Sequence, residues 1–497
     1  MDFIRNFPFF SVMIAMLAAV VTSVLPKKAA RILNAAVVSL ETALNAAVVV
    51  YTVRFGSFCY TMGHFPAPWG NELRAGPLEA LLAAAFSLIL LLSVAGGTKY
   101  IDRDLAESKV SLYYCMIDLL EGALLAMLYT NDIFTGYVFI EIMTIASCGI
   151  LMIRQIGRTT LAAVRYMIMS LLGSGLFLIG VVLLYDMTGH LLMEHMHAAI
   201  EELIRSGEYM LPLTIATALI TIGLTIKSGL FPFHFWMPDT YGYSTPASSA
   251  VLSGLVSKSY ILMLLKVYYR VLGEVFIARS QIFDVLFIFG LCAMIVGSVS
   301  AIRENDICRM TAFSSAAQIG YIYLGIGLGT TAGLTASLFH VLTHAVTKPL
   351  LFISAAGLSD VSDDSKRFQL LQGAGMRNRA AGVAFTIGSL SMVGLPLFAG
   401  FVSKILFAEA SVLNPYKMLP TLIVLAISTV LNAVYFLRTV IRIYRPAEGE
   451  NSFGTLRAGE QKPFILALAV LVLCNLVLGL WSRPITQLLT GGISMFS

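Results

Sequence analysis

The sequence predicts an all-α polytopic membrane protein of about fourteen transmembrane helices, with two inverted five-helix repeats that each contain a broken helix. Three observations carry this expectation. Hydrophobic residues fill 58% of the 497 positions and charged residues only 12%, whereas a soluble globular chain carries roughly 25% charge. Apolar runs of the roughly 20 residues that a helix needs to cross hydrocarbon recur along the whole chain. Two of those runs are interrupted by a proline close to a lysine, five spans apart, the pattern of an inverted repeat with ion sites at its breaks.

The apolar runs centre near residues 17, 42, 86, 120, 143, 172, 221, 258, 292, 317, 343, 393, 429 and 472. The first is followed by the basic PKKAAR rather than a small-residue cleavage site, so it is expected to remain as a helix. Basic residues then mark alternate loops: Lys27, Lys28 and Arg31; Lys99, Arg103 and Lys109; Arg154 and Arg158; Arg303 and Arg309; Lys366, Arg367, Arg377 and Arg379; and Arg438, Arg442, Arg445, Arg457 and Lys462. By the positive-inside rule these six loops are cytoplasmic, which puts both termini on the outer face of the cell membrane. Lys266, Arg270 and Arg279, near the end of the eighth span, fall on the wrong side. Trp69, Trp236 and Trp481 lie near expected span ends, where aromatic belts sit.

The outer loop from Asp186 to Met210 carries four glutamates against Arg205, and its HLLMEHMHAAIEELI portion has helical spacing. It reads as a short surface helix. His195 and His197 do not share a helical face, so these two and His190 are read as solvated residues and not as a metal site. Six cysteines without CxxC spacing support neither an iron–sulfur cluster nor structural zinc. The net charge of +5 sits in short loops and reports topology, not a nucleic-acid partner. No cofactor-binding motif is present: there is no GxGxxG, phosphate loop or haem signature.

Prolines set the organisation. Lys227 is followed by Pro232 in KSGLFPFHFWMP, and Pro396 in GLPLFAGFVSK precedes Lys404. Spans four to eight form one expected repeat and spans nine to thirteen the other. The expected divisions are an N-terminal three-helix segment (1–110), a first repeat (111–275), a second repeat (276–445), and a C-terminal helix and tail (446–497).

Function is read from charge in the wrong place. Glu141, Lys227, Lys258, Lys348 and Lys404 all fall inside apolar runs. Each ionised group at bilayer depth costs roughly 2.5 to 3.5 kcal/mol, so five unpaired groups would cost on the order of 12 to 17 kcal/mol, as much as the whole stability of a typical domain. They are therefore expected to face one another or water along an internal path. A lone buried carboxylate takes up a proton, while one beside a lysine stays ionised; Glu141 and Lys227 are thus either a coupled switch or a static bridge. Lys258 lies in a serine-rich stretch where Ser253, Ser257 and Ser259 could support a water chain. His340, His344 and Lys348 recur every four residues, forming one stripe that can hand a proton along itself toward Lys404. Glu41, Asp118 and Glu121 also fall inside apolar runs, with Asp118 expected near the inner surface.

Five segments, TNDIFTGYVFIEIMTIAS, TIKSGLFPFHFWMPDTYGYSTPASSAVLSGLVSKSY, NDICRMTAFSSAAQIGYIYLGIGLG, LFHVLTHAVTKPLLFISAAG and SMVGLPLFAGFVSK, resemble the antiporter-like membrane subunits of respiratory complex I, membrane-bound hydrogenases and Mrp-type cation/proton antiporters. The likeness spans roughly residues 111 to 410. FPAPWGNELRAGPLEALLA looks like the region before span three in the D-type component of Mrp antiporters, the nearest type. The resemblance implies a hydrated charged axis along the membrane plane. Glu141 and Lys227 match the family's coupling pair, Lys258 its central lysine, His340 and His344 its connecting histidines, and Lys404 its terminal residue. It also implies other membrane subunits as partners and protons as cargo, with sodium or potassium left open. The rival reading is a proton-pumping subunit of a complex I-like NADH-quinone oxidoreductase or hydrogenase, with no catalytic centre of its own. Two departures bear on this: only sixteen residues follow Trp481, where the largest complex I subunit has a long lateral helix, and span twelve carries Lys404 where one complex I paralogue has glutamate. Asp118 and Glu121 lie outside the shared motif.

Overall fold

The computed structural model describes residues 2–65, 70–446 and 462–494. Its elements run α1 (Phe7–Val24), α2 (Lys27–Phe55), the hairpin β1 (Phe58–Thr61) and β2 (Glu72–Ala75), α3 (Pro77–Asp104), α4 (Glu107–Tyr129), α5 (Ile133–Met152) and α6 (Gly157–Thr188). The surface helix α7 (Met193–Ser206) precedes α8 (Met210–Ser228) and α9 (Met237–Tyr243). A single helical rod then contains α10 (Pro246–Val251) and α11 (Ser257–Lys266), joined and followed by two π-helical segments, Leu252–Val256 and Val267–Leu272. After α12 (Glu274–Arg279) come α13 (Ile282–Arg303), α14 (Ile307–Gly327), α15 (Thr331–Asp360), α16 (Ala374–Arg377), α17 (Arg379–Val393), α18 (Ala399–Val412), α19 (Pro415–Tyr444), α20 (Lys462–Leu480) and α21 (Ser482–Ser494).

Each expected apolar run is occupied by a helix. Among the described residues twelve helices are long and apolar enough to cross a membrane; the other two expected spans fall on α14, diluted by serine, threonine and glutamine, and on the interrupted pair α17 and α18. Exposed leucines, isoleucines and valines along α6, such as Ile168, Leu171 and Leu172, face outward as lipid-contacting residues do. The rod containing α10 and α11, and α15, are buried throughout their apolar windows. The charged positions Lys258 and Lys348 are therefore held on the two innermost helices.

The repeat is visible in how the elements begin and end. α5 and α14 both start after Asn-Asp, with Asp132 accepting from Thr135 N at 2.6 Å and Asp306 from Cys308 N at 2.8 Å, so each aspartate satisfies helix-start N–H groups. Each start is tied to the chain leaving the next span: Ile133 N donates to Leu191 O and Ile307 N to Lys366 O, both at 3.0 Å. Both breaks close alike. α8 ends on left-handed Gly229 (φ 77) and α17 on Gly394 (φ 91), with Gly229 and Leu230 N–H groups donating to Thr225 O, and those of Gly394 and Leu395 to Leu390 O. Such a C-terminal turn needs a residue that accepts positive φ, and glycine does so without strain.

Several expectations are corrected here. Lys266 and Arg270 are not loop charges. Lys266 Nζ donates to the carbonyls of Met127, Leu128 and Thr130 at 3.0, 2.5 and 2.9 Å, capping the C-terminus of α4, where orphan carbonyls favour a cation. Arg270 pairs with buried Glu79. Both are interior and so do not count against the alternating loop charges, whereas Arg279 is exposed at the end of α12 and still does. Trp236 is no belt residue either: it is buried at the α8 break, where its ring packs on Tyr166 and Tyr241 at 5.1 and 6.0 Å. Trp481 is exposed at the end of α20, while Trp69 and Arg457 lie outside the described residues. Asp118 is fully buried within the bundle. The β1–β2 hairpin pairs Phe58 with Ala75 through Thr61 with Glu72; its strands are too short for alternation to show.

Charged clamps hold one end of the bundle. Asp239 on α9 accepts from Arg165 on α6 at 2.6 Å and also from Arg309 on α14, pinning the short helix beyond the α8 break. Arg103 bridges α3 to Asp360 at 3.0 Å and Asp364 at 2.5 Å.

Candidate functional site: a buried charged axis

The α8 break fixes the first pair. Lys227 is the penultimate residue of α8, fully buried, and its ammonium lies 3.7 Å from Glu141 Oε1 on α5. It donates to Thr144 Oγ1 at 2.7 Å. Thr144 is one helical turn after Glu141, so acceptor and carboxylate share a face. The Tyr260 ring centroid lies 5.3 Å from Lys227 Nζ, and Tyr260 is two residues beyond Lys258. The pair thus abuts the central rod.

Lys258 emerges just after the first π-helical segment. π-helical turns are rare and frequent at functional sites, and Lys258 Nζ donates back to a carbonyl within this one, that of Ser253. Ser253 Oγ in turn meets Ser315 Oγ of α14 at 3.0 Å. The neighbouring Ser314 hydroxyl accepts from Lys348 Nζ at 2.8 Å, and the Thr311 carbonyl accepts from the same amine at 3.1 Å. Adjacent serines of α14 therefore stand between the two lysines. The expected serine set is trimmed: Ser257 bonds Tyr241 at 2.9 Å and Ser259 bonds the Leu255 carbonyl at 3.2 Å, which leaves Ser253 on this path.

The α15 stripe is realised. His340, His344 and Lys348 are all buried, with the two imidazole centroids 6.2 Å apart. Tyr321 stacks on His340 at 5.4 Å. His340 Nδ1 meets Ser403 Oγ at 2.6 Å, and Ser403 adjoins Lys404, whose Nζ donates to the Val393 carbonyl at 2.6 Å and Thr429 Oγ1 at 2.9 Å. The stripe meets Lys404 at its His340 end, through Ser403, and not at its Lys348 end as expected. Lys258 lies within electrostatic reach of Lys348 and of both histidines.

Both ends are partly exposed, Glu141 at 24% of its side chain and Lys404 at intermediate exposure, while the five groups between are buried. Both nitrogens of His344, Nε2 of His340, Tyr260 Oη, Gln318 Nε2 and Glu141 Oε1 have no hydrogen-bond partner among the described residues. Buried polar groups of this kind are ordinarily satisfied by ordered water. The arrangement is thus a row of exchangeable bases and one acid in a shell of hydroxyls. Sequence reasoning missed Thr144, Ser314, Ser315, Ser403 and Thr429. Their signal was weak: Thr144 is three residues from Glu141 and Ser403 is next to Lys404, but serine and threonine are common in membrane helices.

Comparison with known proteins identifies the family. Residues 130–432 match the family described as "NADH:quinone oxidoreductase/Mrp antiporter, TM". The chain is 32% identical over 461 residues to NADH-quinone oxidoreductase subunit N of Desulforudis audaxviator, covering 87% of this chain and 86% of that one. It is 27% identical over 428 residues to the putative antiporter subunit mnhD2 of Staphylococcus epidermidis, covering 84% and 82%. A chain of the Mrp complex from Dietzia sp. DQ12-45-1b superposes with a TM-score of 0.86 at 24% identity, over 100% of this chain and 98% of that one, which shows a shared fold. A multi-span fold with duplicated halves, a matching central region and a relative this similar over most of its length together establish that the chain belongs to the NADH:quinone oxidoreductase/Mrp antiporter membrane family.

Proposed function

We propose that this chain is the proton-translocating membrane component of a multisubunit cation/proton antiporter, of the D type found in Mrp assemblies. The observation that carries the reading is the set of one acid and six bases from Glu141 to Lys404. Glu141 lies beside Lys227, whose amine faces Tyr260 of the central rod; Lys258 and Lys348 reach adjacent serines of α14; and His344 lies near His340, which meets Ser403 next to Lys404. The roles follow from position. Lys258 receives a proton at the centre; the added charge beside Lys348 and the histidines favours onward transfer through His344 and His340 to Lys404. The Glu141–Lys227 pair acts as the switch: closed, the carboxylate holds the ammonium; opened, Lys227 lends its charge to the Lys258 side. The partly exposed ends are where further membrane subunits would complete the path, and membership of the Dietzia relative in a complex supports such partners. The reading places the chain in the plasma membrane with both termini outside, divides it at residues 110, 275 and 445, and takes sodium or potassium as the exchanged cation.

A second reading is favoured by the higher identity to an oxidoreductase component: the same proton module, driven by electron transfer in neighbouring subunits. One experiment separates them. The assembled complex, purified and reconstituted, is given a sodium or potassium gradient, then separately an electron donor and quinone, and internal pH is followed. Proton movement driven by the cation gradient alone supports the antiporter; movement only on adding the electron donor supports the redox complex. Proton movement under neither overturns both.

A further inference from the structure

Away from this axis, the first four helices enclose a second set of buried acids. α2 turns Asn34, Glu41, Asn45 and Thr52 to its buried face. At a rise of about 1.5 Å per residue this stripe runs about 27 Å, close to the roughly 30 Å of a hydrocarbon core. α4 faces it with Asp118 and Glu121, α3 with Ser87 and α1 with Thr22. Most of these groups are satisfied. Asp118 accepts from Thr22 Oγ1 at 2.8 Å and Asn34 Nδ2 at 2.5 Å, and Asn45 Oδ1 accepts from the Tyr129 hydroxyl at 2.7 Å.

Glu41 and Glu121 differ. Both are 0% exposed, and none of their four carboxylate oxygens has a hydrogen-bond partner among the described residues. The ionisable groups within electrostatic reach of Glu41 are Glu121 and Asp118; Glu121 feels Asp118 and stands beside the Ser87 hydroxyl. Among the described residues no Lys, Arg or His forms an ion pair with either. Two ionised carboxylates in such surroundings would repel each other with no counter-cation, and with only the Ser87 hydroxyl beside Glu121 to offset their burial. A proton on one of them turns it into a donor and its neighbour into an acceptor.

We infer that Glu41 and Glu121 form a second proton-binding site, holding a proton shared between the two carboxylates and exchanging it with water along the polar stripe of α2. The exchange needs no other reactant. A hydronium O–H bond breaks as a carboxyl O–H forms, and the reverse step leaves the electron pair on the carboxylate. Asn34 and Thr22 continue the stripe toward Asp102, which Lys27 and Arg31 hold at one rim at 3.1 and 2.5 Å. Asn45 and Tyr129 continue it toward the other. The site is independent of the Glu141–Lys404 line and of whatever drives it.

The test is infrared spectroscopy of the full-length chain in its complex, reading the C=O stretch of protonated carboxyl groups. The expected result is a buried-acid band that shifts on transfer to D2O and is reduced in both Glu41→Gln and Glu121→Gln. If a variant does not assemble, wild-type protein with isotope-labelled glutamate carries the test, and the band must move with the label. A band unchanged by either substitution, unmoved by glutamate labelling, or resistant to D2O overturns the inference.

Discussion

Replacing Lys227 with alanine removes the amine from the best-defined pair of the axis. At 3.7 Å, two unit charges interact by about 4.5 kcal/mol at an effective dielectric near 20. Glu141 retains some exposure, which screens the pair, and halving the figure for that leaves about 2 kcal/mol, a factor of roughly 30 in the balance between open and closed states. If closing and opening of this pair gates transfer, cation-driven proton flux should fall at least about 30-fold. Alanine also leaves Thr144 without its donor but exposes no new surface, so assembly should persist. The assay is quenching of a pH-sensitive dye in inverted vesicles carrying the whole complex, normalised to the amount of co-purified complex. Flux within twofold of wild type, with normal assembly, would refute the switch.

Further outcomes follow from the same geometry. Ser403→Ala removes the hydroxyl 2.6 Å from His340 Nδ1; leaving a buried imidazole nitrogen unpaired costs about 1–3 kcal/mol, and flux should fall while complex yield is kept. Gly254→Ala would place a Cβ 2.9 Å from Pro349 Cγ and 3.3 Å from the Ala345 carbonyl, forcing the central rod from α15 at a cost of about 1–3 kcal/mol, read as lower thermal stability together with lower flux. Lys266→Met strips the cap from three α4 carbonyls; complex yield should drop with flux per assembled complex unchanged, and a loss of flux per complex would put Lys266 on the proton path.

Much of this was legible because membranes make misplaced charge conspicuous. Glu141, Lys227, Lys258 and the α15 stripe stand out against long apolar runs, and the structure brings them into one line. The breaks were legible too, since Pro232 and Pro396 cannot continue a ladder. What stayed hidden depends on which groups meet across helices. Lys266 and Arg270 look like loop charges until the α4 terminus and Glu79 are seen beside them. Trp236 looks interfacial until the α8 break folds it inward. Which end of the stripe meets Lys404 could not be read from spacing, because periodicity gives a shared face and not its direction. Glu41 and Glu121, within electrostatic reach of each other, are about 80 residues apart in the sequence, and nothing in either helix alone announces their pairing.

The paired tethers at Asp132–Leu192 and Asp306–Arg367 have a mechanical meaning. Each stitches the start of one span to the exit of the next, and since these spans run in opposite directions, the stitches lie on opposite faces of the sheet of lipid. The two halves are thus fastened from opposite sides, the first where α5 begins and the second where α14 begins.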